Sequence, residues 1–140
     1  MWASWLQSTR LVGQVAELWT LGIITRMDIP LQPLRIPSGW TVSFNNGLYE
    51  IDPDAKAIPT DKHLWFFKED MLQLQHIHHN RVLDVGWYPP GDLERGEYGL
   101  HLHAGDWVTG RLLHEFRTRD RLALVAEIER LLLGEIEETV

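Results

Sequence analysis

The chain has 140 residues, 44% of them hydrophobic, and a formal charge of -7 from 13 Lys and Arg against 20 Asp and Glu. That length fits one compact domain burying roughly two-thirds of its unfolded surface, with little left for a second. The acid excess argues against direct nucleic-acid binding, which needs clustered basic surface, and the lack of cysteine excludes disulfides, a thiolate nucleophile and Cys-ligated zinc.

No stretch approaches the roughly 20 apolar residues of a membrane span. Gln7, Arg10, Gln14 and Glu17 interrupt the apolar N-terminus, so it does not read as a signal peptide. The expectation is a soluble, cytoplasmic protein with no membrane contact. Within residues 1–26, Val12, Val15, Leu18 and Trp19 fit one stripe of a short helix that Gly13 and Gly22 break. Pro30, Pro33 and Pro37 then forbid regular helix. Residues 1–26 are therefore read as an appendage or short helix, loosely packed and leaving Trp2 and Trp5 exposed, with Met27 as an alternative natural start. Residues 27–140 are read as a single α+β domain.

From Gly39 the pattern turns to β. Trp40, Val42 and Phe44 alternate with polar residues, Asn46-Gly47 is a hairpin signal, and residues 48–51 read as the returning strand. Leu64-Trp65-Phe66-Phe67 reads as a buried strand or core anchor, and Met71 to His78 as a strand ending in a turn at His79-Asn80. Leu83, Val85 and Trp87 form one face of the next strand, with Asp84, Gly86 and Tyr88 on a more open face. Tyr98, Leu100, Leu102 and Ala104 alternate with Gly99, His101, His103 and Gly105 in the cleanest period-2 signal of the chain. After a turn at 104–106, Trp107 is expected to fold over the core, and Leu112, His114 and Phe116 to share a strand face.

The last element reads as a helix from about Asp120 to Leu133, capped by Thr118 or Asp120 and stopped by Gly134. Its expected apolar face is Leu122, Val125, Ile128 and Leu132, supported by Leu124 and Leu131. The segment after Arg119 is also the most acidic, with six acids against two bases. The fold expected is thus an antiparallel β-meander of about five to six strands with the C-terminal helix packed on one face.

Two constellations bear on chemistry. His76/His78 and His101/His103 are HxH pairs, and an i, i+2 spacing in a strand puts both rings on one face, so pairs on neighbouring strands could converge on a metal. The competing reading is a half-exposed polar strand face. Asp84 and Glu115 could likewise act as acid and base if their environments separate their pKa values, or pair with Arg111, Arg117 or a histidine across strands. No nucleophile elbow, phosphate-cradling glycine loop or HExxH occurs, and no motif calls for a cofactor. Seven tryptophans suit core or interface; Trp40, Trp65 and Trp87 fit core positions.

The stretches GWTVSFNNGLYEIDP, EDMLQLQ, LDVGWYPPGDLERGEYGLHL and FRTRDRLALVAEIERLL, within about Ile36 to Leu133, together resemble the small immunity-type proteins of bacterial polymorphic-toxin and contact-dependent inhibition systems. That resemblance implies a non-enzymatic protein that binds and blocks a cognate toxin, with no catalytic residues to carry over. The partner expected is a protein, a basic toxin domain complementary to an acidic face. The candidate contact residues are Asp84, Tyr88, Asp92, Glu94, Glu97, His101, His103, Trp107 and Glu115. The alternative is a metal-binding module or metal-dependent hydrolase built on the histidine pairs.

Overall fold

The computed structural model describes Trp19 and residues 28–138 apart from 106 and 107, with no side chains beyond 134. Five strands, β1 (Thr41–Asn45), β2 (Leu72–His76), β3 (Arg81–Tyr88), β4 (Glu97–Ala104) and β5 (Arg111–Thr118), form one antiparallel sheet in the order β1-β2-β3-β4-β5. A one-turn helix α1 (His63–Phe66) lies in the β1–β2 connection, and α2 (Arg121–Glu138) follows β5. This is the α+β meander expected from the sequence.

The central register sets the two faces. Leu83 pairs with Leu102, Val85 with Leu100 and Trp87 with Tyr98, and all six side chains are buried at 1% exposure or less. Because side chains alternate, Asp84, Gly86 and Tyr88 project to the other side opposite His101, Gly99 and Glu97. Helix α2 packs over β4 and β5 on the apolar side. Its buried residues are Arg121, Leu124, Ile128, Leu131 and Leu132, while Leu122 and Val125 are only half-buried. The inward stripe is thus rotated from the expected one, because Arg121 also turns inward.

Arg121, 4% exposed, donates from Nε to Asp52 Oδ1 at 2.9 Å and from its guanidinium to Gln32 Oε1. It thereby ties two loops to the helix start. The Asp120 side chain caps that start, accepting from Leu122 N and Ala123 N at 2.9 and 3.2 Å. Gly134 does not stop the helix, which continues to Glu138. A glycine terminates a helix by taking a left-handed conformation, and Gly134 does not.

Four further sequence expectations are corrected. Asn46-Gly47 joins no strand pair: β1 pairs with β2, and residues 48–51 make one isolated bridge, Leu31 to Tyr49. There the backbone bonds instead to the proline-rich segment, Gln32 N to Leu48 O and Glu50 N to Pro30 O, both at 2.8 Å. Residues 64–66 belong to the helical turn α1 rather than to a strand, and Phe67 follows it in extended conformation; Phe66 and Phe67 anchor the core, but Leu64 and Trp65 are exposed. The register of β5 shifts between Leu102 and His103, so Leu113 packs with Phe116 toward the core and Leu112 is turned outward and exposed. The supposedly open side of β3 is also buried, with Val82 and Asp84 at 7% and 5% exposure.

Trp19 is buried and meets Phe66 edge-on, with ring centroids 5.8 Å apart. Trp2 and Trp5 lie outside the described residues. Leu124→Ala or Ile128→Ala should each lower the unfolding free energy by about 2–5 kcal/mol in urea titration, against under about 0.5 kcal/mol for the exposed Leu133→Ala.

Candidate functional site

The side of the sheet away from α2 carries a row of side chains across all five strands. Register pairs Phe44 with Gln73, Gln73 with Asp84, Asp84 with His101, and His101 with Glu115. Tyr88 lies beside this row because two glycines let it. A Cβ on Gly99 would sit 3.0 Å from its ring, and one on Gly86 would sit 2.9 Å from its hydroxyl and 1.9 Å from the Glu69 carbonyl oxygen. The Tyr88 hydroxyl and the Glu69 backbone therefore close over Gly86 and the ring lies over Gly99, spaces that any larger residue would fill.

This closure shapes a groove of about 420 Å³. Phe44 and Tyr88 are its aromatic lining, Glu69 and Asp70 its exposed acids, and Gln73 and Asp84 come from the sheet itself. A larger open depression of about 770 Å³ adjoins it, sharing Asn46, Glu69 and Asp70. Burial, with the Asp70 charge added, raises the Asp84 carboxyl to about 6. Burial, then the charges of Asp84, Glu69 and Asp70, raises the Tyr88 phenol.

Beyond Tyr88 the row is ionic. Arg117 donates from Nε to Glu115 Oε1 at 2.6 Å and lies 3.8 Å from Glu97. The Arg117 hydrogen bond holds the Glu115 carboxyl below its ordinary value. His101 Nε2 is 3.8 Å from Glu115, yet burial outweighs that carboxylate and lowers the histidine, so near neutral pH the ring is uncharged. Burial, then His101, also lowers His103. Asp84 and Glu115 thus have well-separated acidities. However, they stand two strand spacings apart, about 10 Å, with His101 between them, which keeps both off a single reacting atom.

The contact residues expected from sequence divide accordingly. Asp84, Tyr88, Glu97, His101 and Glu115 come together on this face, with His103 one row away opposite Val82 and Leu112. Asp92 is not a free rim charge. Its carboxylate accepts from Arg95 N at 2.9 Å and Arg95 Nε at 3.0 Å, and the neighbouring backbone is held by Trp87 Nε1 donating to Asp92 O at 3.0 Å. Glu94 is exposed on the same loop, and Trp107 lies outside the described residues.

The histidine pairs do not converge. His76 follows Leu72 and Leu74 on the helix side, where it meets Trp40 edge-on at 5.3 Å and accepts from His79 N through Nδ1 at 3.1 Å. His101 and His103 are on the opposite side, and His78 is in the turn after β2. Side chains on opposite faces of one sheet cannot reach a shared metal. No group of three or more His, Asp or Glu placed to hold a metal occurs among the described residues.

Phe44, Gln73, Glu69 and Asp70 were absent from the sequence-derived site. Pairing β1 with residues 48–51 hides the first two, and Glu69 and Asp70 fall between two expected elements; the glycines facing each other at 86 and 99 are the available signal. No helix of the described residues is long and apolar enough to cross a membrane. No protein-family model matches the chain, and no curated protein or solved structure shows significant similarity to it.

The Asp84 shift predicts an unusual pH dependence. Below about pH 4 the carboxyl is protonated in folded and unfolded chains alike; between about 4 and 6 the folded form holds the extra proton, so stability falls as pH rises through that window. Asp84→Asn should therefore stabilise the protein by about 2–3 kcal/mol above pH 6 and by little below pH 4, read from urea midpoints across pH.

Proposed function

We propose that this chain is a non-enzymatic binding protein that uses the face away from α2 to hold a basic protein partner, and that the partner is a bacterial toxin domain it neutralises. The observation carrying this reading is the chemistry of that face. Five carboxylates, Glu69, Asp70, Asp84, Glu97 and Glu115, stand on it or at its groove with Lys68 and Arg117 as the nearby cations. The net charge of -7 acts in the same sense, steering a basic partner toward the protein at long range.

The side chains also suit binding better than turnover. The neutral histidines and the separation of Asp84 from Glu115 offer no nucleophile activated by a base and no paired acid and base around one reacting atom. The toxin assignment rests on the immunity-type resemblance described above, and the basic character of the partner on charge complementarity.

The test is co-expression with the product of the adjacent gene. A stable complex and restored growth of cells producing that product are expected. Asp70→Lys combined with Glu115→Lys should weaken the complex by at least about tenfold at low salt, with a smaller effect at high salt because the charges are exposed. An unchanged affinity would move the interface elsewhere on the molecule. A neighbouring gene product that is neither bound nor neutralised would refute the toxin reading.

A further inference from the structure

Within that face, the groove beside β1 and β2 is the most chemically restrictive feature. Asp84 is only 5% exposed, yet it lines the groove, and burial and a like charge raise its carboxyl with no donor among the described residues compensating them. An ionised carboxylate in this setting is destabilising until a cation meets it. Among the described residues the groove lining supplies none, since Lys68 lines only the adjoining depression and Arg117 is paired with Glu115 and Glu97. Gln73 and His101 flank Asp84 on β2 and β4, Phe44 lies beyond Gln73, and Asn46, Glu69, Asp70 and Tyr88 line the rest of the groove. Of these, Glu69 and Asp70 add negative charge and burial keeps His101 neutral. A carboxylate kept at a net loss of stability, open to a groove and facing aromatic rings, marks a place completed by a ligand.

The groove also selects among cations. The carboxylates lack the clustering that a metal ion requires. Two aromatic side chains, Phe44 and Tyr88, favour a weakly hydrated, planar cation that can lie against a ring while donating several hydrogen bonds. Gln73 offers an amide oxygen beside the carboxylate as a further acceptor.

We propose that this groove takes the guanidinium of a single arginine side chain presented by the partner, with Asp84 as the buried counter-charge and Glu69 and Asp70 as the acidic rim. The proposal rests on the binding function above and names the group that the partner inserts. Asp84 forms a charge-assisted, two-point contact with the guanidinium, and occupancy holds Asp84 ionised, so arginine binding releases a proton from chains in which that carboxyl was protonated.

The test is a titration of the full-length, isotopically labelled chain with N-acetyl-arginine amide, followed by NMR at about pH 7.5 and about pH 5. N-acetyl-lysine amide and magnesium chloride serve as competing probes. Saturable shifts at Gln73, Asp84 and Tyr88 are expected with the arginine probe, about tenfold weaker at the lower pH as Asp84 takes up its proton. They should vanish in Asp84→Asn, whose spectrum also reports whether it is folded, and weaken severalfold in Asp70→Asn at the exposed rim. Absence of saturable shifts, equal binding by Asp84→Asn, or tighter binding of lysine amide or magnesium would overturn the assignment. If the arginine probe fails while Asp70→Lys with Glu115→Lys still weakens the partner complex, the groove assignment falls and the binding function stands. If the probe binds but no partner is found, the reverse holds.

Discussion

The pairing of β3 with β4 is the constraint on which everything else rests. Leu83, Val85 and Trp87 meet Leu102, Leu100 and Tyr98 side by side, and the pleat then leaves no choice about where Asp84, Gly86 and Tyr88 go. A slip of one residue would bury Asp84 and His101 under the helix and expose Trp87 and Tyr98, which are at 0% and 1% exposure. Phe67 adds to this lock, with its ring 4.9 Å from Trp87 and 6.1 Å from Tyr98. The polar row is therefore a direct consequence of the core register.

What keeps that row uncovered by α2 is the way the connections gather on the other side. Arg121 joins α2 to Asp52 and Gln32, Arg35 N donates to Glu129 at 2.6 Å, and Trp40 Nε1 donates to Leu132 O at 3.0 Å. These bonds fasten the proline-rich segment and the entry to β1 along the helix. Arg119 stitches the loop after β3 in a similar manner, donating to Leu93 O and Gly96 O while its guanidinium carbon lies 5.6 Å from the centre of the Trp87 ring. The buried Arg121 charge is compensated by a half-exposed Asp52 and an amide oxygen, an arrangement in which losing one partner is more harmful than the pair is helpful. Asp84 is the contrasting case of a buried charge left without such compensation.

Period-2 alternation made β3 and β4 legible from the chain alone, along with the burial of Leu83, Val85, Trp87, Leu100 and Leu102. The Asp120 cap was equally legible, because capping depends on neighbours in sequence. Non-local pairing was where local reading failed. Asn46-Gly47 is a strong hairpin signal, yet the backbone of residues 48–50 found partners at Pro30 and Gln32, and β1 found β2 across a connection containing α1. Trp65 fitted a core position and is exposed because a single helical turn, rather than a strand, sends Phe66 inward in its place.

The sequence by itself determined the α+β meander, the inward residues of β3 and β4, the capped start of the C-terminal helix and the acidity of the chain, since periodicity, capping chemistry and charge are local or additive properties. Only the tertiary structure decided that His76 and His101 lie on opposite sides of the sheet, and that Phe44, Asp70 and Tyr88 close around Asp84. Those outcomes depend on which strands pair and in what register, on the Glu69 backbone crossing that Gly86 permits, and on the space that Gly99 leaves for the Tyr88 ring. A carboxylate that looks like one of many acids along the chain is thereby singled out by its desolvation.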